Sequence, residues 1–286
     1  MPELPEIEVL KRSLKKKLKF QRILKIKVYN KNLRYKFSNS ISKNLNKRII
    51  HDVTRISKYL VIHFNFSKKL LVHLGMAGTI HILDKKNKRS NASFYSSAFL
   101  PKKHNHIVFF FNNSTKMVYN DPRRFGYFKL LNNNYLFKKP FSCLGPDPLS
   151  YNFNYNYVKS FILSRKINLK KLLMNQKFVS GIGNIYANEI LYSCKLKPTK
   201  SVDFLSKKNI LDIIYQSKKV LNKAIKYGGS SIKDFVDDEG NKGVFKQKFN
   251  VYGKIKEKCP RYGCAGYIKK IIISNRSSFY CPKCQV

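Results

Sequence analysis

The sequence contains no tryptophan and few acidic residues. Its 286 residues include 15 Asp and Glu against 58 Lys and Arg, which gives a formal net charge of +43. A surface with so little negative charge attracts polyanions through counterion release and electrostatic steering. Nucleic acid is the first candidate partner and an anionic membrane surface the second. Because the wealth of Lys, Asn, Ile, Phe and Tyr is typical of A/T-rich codon usage, the sign of this charge is more informative than its size.

Long apolar runs are also absent. No stretch of about 18 apolar residues exists, which excludes a transmembrane helix. The first ten residues, MPELPEIEVL, are acidic and amphipathic, which excludes a secretory signal. Hydrophobic residues make up 43% of the chain and aromatic residues 14%, so general disorder is excluded too. We expect a folded protein of the bacterial cytoplasm, with enough core for two domains.

The first half of the chain predicts one helix followed by strands. From about Pro5 to Leu18, apolar residues recur at spacings of three and four, with acidic residues early and lysines late, as suits a helix dipole. From Ile23 to Leu131 the chain consists of short β-like runs such as YLVIHFNF, HIVFFF and KMVYN. Turn-rich stretches such as KKNKRSNAS separate these runs. Many short strands at this spacing are typical of a β-sandwich or barrel.

The second half predicts helices and a cysteine-bearing tail. Asn, Pro and Gly concentrate in LNNNYLFKKPFSCLGPDPLS, which we interpret as a linker. Four helical runs follow, namely YVKSFILSR, NLKKLLMNQKF, NIYANEILYSCKL and KKNILDIIYQSKKVLNKAIKYG. The predicted class is therefore α+β. The predicted division of the chain is 1–135 for the strand-rich domain, 136–150 for the linker, 151–250 for the helical domain and 251–286 for the tail.

Four of the six cysteines crowd the C-terminal tail. Cys259 and Cys264 form one pair and Cys281 and Cys284 a second, with a hairpin-length segment between the pairs. Paired thiolates on tight turns suit tetrahedral zinc, and a clustered set in a cytosolic chain indicates a metal before a disulfide. We predict one structural Zn²⁺ held by these four residues. Zinc hairpins occur in many nucleic-acid-binding proteins, so the site by itself names no function.

The N-terminal MPELPE motif offers a second kind of chemistry. A proline near a helix start is common as a capping feature. If Met1 is removed, however, Pro2 presents a secondary amine with an intrinsic pKa of about 8. A fraction of this amine is therefore neutral at physiological pH. Attack of such an amine on a sugar C1′ gives an iminium, which is an electron sink that permits ring opening and strand breakage.

From its first residue to its last cysteines the sequence resembles the formamidopyrimidine-DNA glycosylase family. The resemblance is carried, in the family's order and approximate spacing, by MPELPEIE, SKYL, HLGMAG, KHNH, NDPRRFG, LGPDPL, GIGNIYANEIL, YGGSSIKDF, VYGK and RSSFYCPKC. It implies an N-terminal catalytic β-sandwich with an initial helix, a helix-two-turn-helix DNA-binding domain and a C-terminal zinc hairpin. It also implies a monomeric glycosylase and AP lyase that removes oxidised purines from damaged double-stranded DNA at the bacterial nucleoid.

The resemblance also implies the catalytic residues. Pro2 matches the nucleophile that forms the Schiff base, and Glu3 matches the general acid that assists glycosidic or sugar-ring opening. Lys58 in SKYL matches the lysine of β-elimination and phosphate contact, although a surface lysine is the plainer interpretation in so basic a chain. Arg276 in NRSSFY matches the arginine of δ-elimination, where a guanidinium can grip a phosphate bidentately.

Seven further residues match positions that contact DNA. His73, His104, Arg165 and Asn184 match phosphate-contacting positions, although both histidines could equally be ordinary strand residues and the flanks of Arg165 diverge. Asn184 is the last residue of the GIGN turn, whose glycines permit close backbone approach to phosphate at a helix N-terminus. A flipped base leaves a gap, and the residues that match the family's gap-filling trio are Met76, Arg123 and Phe125. The stretch from Gly228 to Gly243 resembles the loop that closes over the flipped base.

One departure and two alternatives stand beside the resemblance. The first cysteine pair is spaced by four residues where the family usually has two, so CPRYGCAG carries two extra residues. The sister branch that excises oxidised pyrimidines is the nearest alternative, although PELPE, HLGM and DPRRFG favour the purine branch. A non-catalytic zinc-containing DNA-binding protein is the second alternative, and the intact set Pro2, Glu3, Lys58 and Arg276 argues against it.

Overall fold

The computed structural model describes residues 2–83, 89–90, 102–229 and 249–286. Two compact units divide the chain: Met1–Ser142 with Tyr227–Lys246, and Cys143–Lys226 with Gln247–Val286. Strands dominate the first unit, whereas the second contains helices and one strand pair, which confirms the α+β class. The turn-rich segment KKNKRSNAS and the stretch from Gly228 to Gly243 lie largely outside the described residues. No described helix is both long and apolar enough to cross a membrane.

The first unit is a β-sandwich with an initial helix. In chain order it contains α1 (Leu4–Leu18), β1 (Ile23–Val28), α2 (Asn39–Leu45), β2 (Ile50–Ile56), β3 (Tyr59–Phe64), β4 (Phe66–His73), β5 (Thr79–Leu83), β6 (Arg89–Ser90), β7 (Asn105–Phe111), β8 (Lys116–Asn120) and β9 (Tyr127–Leu131). The antiparallel sheets run β1-β7-β8-β5-β6 and β2-β3-β4-β9. Across the core between them, Phe109 and Tyr119 of the first sheet contact Phe128 of the second, with ring centroids 6.2 and 5.0 Å apart.

Helix α1 is fixed to this core by one apolar stripe. Ile7, Leu10, Leu14 and Leu18 recur at spacings of three and four, and each is at most 1% exposed. Burial of such a side chain is worth about 1.5–3 kcal/mol as an upper estimate, so packing rather than helix propensity stabilises α1. The helix ends where Phe20 takes a positive φ of 66° after the cap.

The sequence did not predict α2 and β2. Helix α2 begins behind Ser38, whose Oγ accepts from the Ser40 N–H at 3.2 Å, and it buries Ile41 and Leu45. With two buried positions in seven residues it has too little periodicity to be recognised. Strand β2 alternates imperfectly because α1 packs on it, and Lys15 Nζ pairs with Asp52 Oδ1 at 2.8 Å. Because α1 covers β2, polar residues of the strand such as Asp52 can pair with the helix. The strand therefore lacks the regular alternation of a strand with one face in solvent.

The second unit contains four α-helices and a strand pair among its described residues. In chain order these are α3 (Tyr155–Ile162), α4 (Leu169–Met174), α5 (Asn184–Ser193), α6 (Lys207–Lys226), β10 (Lys269–Ile273) and β11 (Arg276–Tyr280). Asn154 Oδ1 accepts from the Tyr157 N–H at 3.0 Å and Asn168 Oδ1 from the Lys171 N–H at 2.8 Å, so asparagine N-caps start α3 and α4. The predicted helices exist, but α3 stops before Ser164, where φ becomes +60°.

A buried ion pair joins α1 to β2. Arg55 Nε donates to Glu8 Oε2 at 2.9 Å, and both side chains are less than 10% exposed. Lys11 and Arg12 also contact Glu8 Oε1, at 2.7 and 2.9 Å. Burial by itself would raise the pKa of Glu8, but these cationic hydrogen bonds outweigh it and lower the pKa below the ordinary 4.5.

We expect Glu8→Gln to lower the free energy of unfolding by about 3 kcal/mol near neutral pH, because buried Arg55 would lose the negative charge of Glu8. A lowered folded-state pKa contributes stability above the ordinary value of 4.5, and this contribution is lost as the pH falls through the folded value. The difference between wild type and variant should therefore shrink below that pH. Urea unfolding of both proteins from about pH 3 to about pH 7 measures this difference in the free energy of unfolding. Glu257→Gln, at an exposed pair 3.9 Å from Lys254, is the control and should cost under about 1 kcal/mol.

Candidate functional site

The N-terminus of α1 lies in the body of the first unit. Pro2 and Glu3 are both buried, and Glu3, 3% exposed, is the N-cap of the helix. The backbone N–H of Glu3 donates to Glu6 Oε2 at 2.8 Å as part of a capping box. Gly229 packs on the same turn, since a Cβ there would lie 3.0 Å from Glu6 Oε1. The start of the chain is thus fixed at the positive end of a helix dipole.

Lys58 lies in the tight turn between β2 and β3. Ser57 has a φ of 55°, and Lys58 is 8% exposed. Arg55, which pairs with Glu8 of α1, also donates through Nη1 to Ser57 O at 3.1 Å. The ion pair of α1 therefore sets the position of this turn as well. A buried lysine next to a strained turn differs from the surface lysine that the composition alone would favour.

His73 ends β4 as a neutral ring. Burial, together with the nearby cations Arg34 and Lys58, lowers its pKa to about 4. Its Nδ1 accepts from the Gly75 N–H at 3.1 Å, so the ring proton lies on Nε2. Tyr127 stacks on the ring with centroids 5.3 Å apart. His73 is therefore a fixed hydrogen-bond donor without charge.

Two adjacent loops present the predicted gap-filling residues. Met76 lies between β4 and β5 and is 41% exposed, while Phe125 lies between β8 and β9 and is 42% exposed. The loops touch at Gly75, which has a φ of 63° and where a Cβ would lie 2.4 Å from the Phe125 carbonyl carbon. The Arg123 guanidinium lies over the Phe125 ring, 4.8 Å from its centroid. Apolar wedges and a cation thus share one exposed surface.

An open, cationic pocket adjoins the same loop. Its volume is about 530 Å³, and its lining residues are Asn32, Arg34, Arg123, Arg124 and Phe125. A pocket lined by three arginines and a phenylalanine suits an anion that also carries a flat ring, because guanidinium forks bind phosphate and aromatic faces stack on bases. Arg34 was not predicted from the sequence, because nothing near it in the chain marks it.

A buried carboxylate organises the loop that carries Arg123 and Phe125. Asp121 is fully buried; its Oδ1 accepts from the Arg123 N–H at 3.1 Å, and its Oδ2 accepts from the Gly126 N–H at 2.9 Å and the Tyr119 hydroxyl at 2.8 Å. Its own N–H donates to the backbone oxygen of His104 at 3.0 Å, which joins half-buried His104 to the loop. Asp121 was missed, although its place between a strand end and Pro is a common turn signal.

Asn184 begins α5 behind a glycine turn that a glutamine fixes. Gln176 Oε1 accepts from the Gly181 N–H at 2.8 Å, and its Nε2 donates to Ile182 O at 2.7 Å. Gly181 has a φ of 94°, which favours glycine. Asn184 Nδ2 donates to Ser277 O at 3.1 Å. Gln176 was not predicted, because its partners follow it by five and six residues outside any regular element.

Arg276 and Arg165 occupy different surroundings within the second unit. Arg276 is exposed and opens β11 opposite Ile273, after a turn in which Ser274 and Asn275 have positive φ. Because Asn184 binds the backbone of Ser277, the structure brings Asn184 and the start of β11 together. Arg165 is also exposed, and its guanidinium packs on Phe161 of the preceding helix α3, 4.4 Å from the ring centroid.

The four tail cysteines fit a zinc ion. Their sulfur atoms all lie within 4.8 Å of one another, with Cys259 and Cys284 3.8 Å apart and Cys264 and Cys281 3.6 Å apart. Tetrahedral Zn²⁺ with Zn–S bonds of about 2.3 Å requires sulfurs about 3.8 Å apart. Gly266 permits the close packing, since a Cβ there would lie 2.7 Å from Cys281 Sγ. The site holds a single structural zinc, as predicted.

Three family models match the chain in succession. They are the formamidopyrimidine-DNA glycosylase N-terminal domain over residues 1–128, the formamidopyrimidine-DNA glycosylase H2TH domain over 144–236, and a zinc finger found in FPG and IleRS over 256–286. A β-sandwich with a buried N-terminal proline, a helix-two-turn-helix region and a four-cysteine zinc hairpin together define a DNA glycosylase.

Whole-chain comparisons narrow the class to one family. A formamidopyrimidine-DNA glycosylase of Rickettsia felis is 40% identical over 285 residues, which cover 100% of this chain and 98% of that protein. A Lactococcus lactis FPG mutant bound to Fapy-dG DNA matches with a TM-score of 0.85 and 29% identity over 99% of each chain. The Lactococcus lactis Fpg bound to abasic-site DNA matches with a TM-score of 0.84 and 28% identity, again over 99% of each chain. The chain belongs to the formamidopyrimidine-DNA glycosylase family, and the predicted resemblance is confirmed.

We expect Asp121→Asn to loosen the loop of Arg123 and Phe125. The amide keeps one acceptor oxygen but replaces the other with a donor, so at least one buried N–H or hydroxyl loses its partner, at about 1–3 kcal/mol. Amide hydrogen exchange at Arg123 and Gly126 should accelerate while the core strand β8 stays protected. Asp147→Asn is the matched control, since Asp147 accepts from the Leu149 N–H in a turn of the other unit. Wild-type exchange at Gly126 in the Asp121 variant would contradict the role.

Proposed function

We propose that this chain removes the oxidised purines 8-oxoguanine and formamidopyrimidine from damaged double-stranded DNA and cleaves the strand at the resulting site. The observation that carries the proposal is the burial of Pro2 beside Glu3 at the N-terminus of α1. Chain termini are usually among the least ordered parts of a domain. A terminus packed next to a carboxylate therefore supports a chemical role for its amine.

The proposed reaction uses the Pro2 amine twice. After removal of Met1, the nitrogen lone pair attacks C1′ while the bond from C1′ to the base breaks, and the base leaves with that electron pair and gains a proton. Glu3 is the proposed general acid that protonates the departing base or the sugar ring oxygen. Loss of the amine proton leaves an aminal, whose nitrogen lone pair forms the iminium as the C1′–O4′ bond breaks and O4′ takes a proton. The electrons of a C2′–H bond then move into this iminium when the C2′ proton is removed. The 3′ phosphate leaves in this β-elimination and the 5′ phosphate in a following δ-elimination.

Two cations are proposed for the elimination steps. Lys58 is buried and close enough to His73 to lower the pKa of that ring, so its ammonium lies inside the first unit rather than in solvent. It would donate a proton in β-elimination and bind a phosphate. Arg276 is exposed at the tip of the zinc hairpin, where a guanidinium fork would grip the departing phosphate in δ-elimination.

The charges around the terminus favour a usable nucleophile. The positive end of α1 favours the neutral form of the Pro2 amine, whereas neighbouring carboxylates favour the ammonium. Glu8 is neutralised by three cations, and a carboxylate oxygen of Glu6 accepts from the N–H of Glu3. The carboxylates of Glu6 and Glu8, both near the start of α1, are thus already engaged, so less of their charge opposes deprotonation.

The exposed loops of the first unit support base extrusion. A base must leave the stack before C1′ can be attacked, and apolar side chains must fill the gap. Met76 and Phe125 are apolar yet more than 40% exposed, as suits wedges awaiting a duplex. Arg123 lies over the Phe125 ring and would hydrogen-bond the orphaned cytosine.

The remaining proposed DNA contacts are to phosphates. Neutral His73 would donate through Nε2, and Asn184 would act at the N-terminus of α5, where helix amides favour anions. His104 and Arg165 are the other two proposed contacts. A net charge of +43 supports binding that weakens steeply with salt, and a monomer acting at the nucleoid in the bacterial cytoplasm is the simplest form of the proposal.

We expect borohydride to trap the wild-type protein on duplexes with 8-oxoguanine opposite cytosine. Borohydride reduces an iminium to a stable amine, so a covalent complex on a denaturing gel reports the Schiff base directly. A matched duplex with thymine glycol should give little adduct. Adduct only with thymine glycol would assign the chain to the sister specificity, and binding without any adduct would make it a non-catalytic DNA-binding protein.

We expect Pro2→Gly, and any preparation that retains Met1, to reduce trapping by at least about 100-fold, since a nucleophile defines the covalent route. Mass spectrometry of the N-terminus identifies the species present. Pro5→Gly is the matched control, because Pro5 lies in the first turn of the same helix without an amine role. Normal trapping by a protein with a blocked terminus would remove Pro2 from the mechanism.

A further inference from the structure

The loop between the first two zinc ligands differs from the family's usual spacing. CPRYGC has four residues between Cys259 and Cys264 where the family usually has two, so the extra length of the loop must be explained from this chain's own contacts. Tyr262 at its tip is fully exposed, and Gly263, with a φ of 71°, would have no atom within 4 Å of an added Cβ. Arg261 behaves differently, because its side chain turns back toward the protein.

Arg261 binds the last turn of α5 and faces the zinc site. Its Nη2 donates to Tyr192 O at 2.6 Å, and its guanidinium lies over the Tyr192 ring, 4.7 Å from the centroid. The Tyr192 hydroxyl in turn contacts Cys259 Sγ at 3.5 Å, and the guanidinium also interacts with the thiol of Cys284. The Arg261 Nε is buried and has no hydrogen-bond partner among the described residues. A buried N–H donor beside sulfur ligands is well suited to a thiolate acceptor.

Helix α5 contacts the zinc hairpin through a stripe of three side chains. Asn184, Asn188 and Tyr192 are spaced by four residues and so share one helix face. Asn184 Nδ2 donates to Ser277 O at 3.1 Å, and Asn188 Oδ1 accepts from the Phe279 N–H at 2.9 Å. Tyr192, with Arg261, forms the third contact. The stripe aligns β11, and therefore its first residue Arg276, along the helix.

The charge balance of the site explains why the third contact carries an arginine. Four thiolates around Zn²⁺ have a net charge of −2, and the C-terminal end of a helix adds partial negative charge. A guanidinium placed between the two offsets both. Residues that bind metal ligands from outside commonly alter metal affinity by about 10- to 100-fold when they are changed.

We propose that Arg261, supplied by the longer loop, is a positioning residue that retains the zinc and fixes the hairpin of Arg276 to α5. The role is independent of the lesion and of the Pro2 mechanism. It requires the guanidinium to act on the thiolates and on α5 together. A residue that only capped α5 would affect stability without affecting the metal.

The test uses the full-length zinc-loaded protein at a temperature well below its unfolding transition. Zinc release to a chromogenic chelator is followed for Arg261→Gln, Arg261→Lys and Tyr192→Phe. We expect release about tenfold faster in Arg261→Gln, with the lysine variant intermediate because it keeps the charge but loses the planar stack. Tyr262→Ala is the control in the same loop and should match wild type, while Cys281→Ser should lose zinc outright.

A second readout separates positioning from simple capping. Amide exchange at Phe279, whose N–H binds Asn188, should accelerate in Arg261→Gln with zinc still bound. If Arg261→Gln releases zinc at the wild-type rate, the proposal is overturned. This holds even if the melting temperature of the variant falls, because a lower melting temperature alone would indicate simple capping of α5. If that variant does not fold, wild-type release in both Arg261→Lys and Tyr192→Phe would overturn it equally.

Discussion

The structure depends on holding a chain terminus still. Termini are normally disordered, yet the amine of the proposed mechanism needs a fixed position to meet one sugar carbon. Helix α1 provides it through four apolar side chains in the core and the ion pair between Glu8 and Arg55. Because Arg55 also binds Ser57 O, the helix that carries Pro2 and the turn that carries Lys58 are positioned by the same contact.

The second unit uses α5 in a similar way. One face of the helix binds the zinc hairpin, and Glu189 on a neighbouring face accepts the backbone N–H groups of Asn250, Val251 and Tyr252 at 2.9–3.0 Å. The N-terminus of the helix presents Asn184, the last residue of the GIGN turn. A single ten-residue helix therefore aligns the hairpin, the segment preceding it and the glycine turn at its own start.

The few acidic residues have a consistent task. The chain has 15 of them, and five are buried among the described residues, namely Glu3, Glu6, Glu8, Asp121 and Glu189. Of these, Glu6, Asp121 and Glu189 accept backbone N–H groups, and Glu8 binds cations. In a chain so rich in lysine, buried carboxylates organise backbone while the surface stays positive. This separation lets the protein keep fixed loops and a strong attraction for polyanions at once.

The sequence by itself determined α1, most strands, the helices of the second unit and the four zinc ligands. These follow from periodicity and ligand spacing, which act between residues near one another in the chain. Tertiary structure alone decided the neutral state of His73, the burial of Lys58, and the roles of Asp121, Gln176 and Arg261. Nor did periodicity predict the short helix α2 or the covered strand β2. A lone carboxylate or guanidinium has no pattern of its own, because its meaning depends on which distant backbone group the fold brings to it.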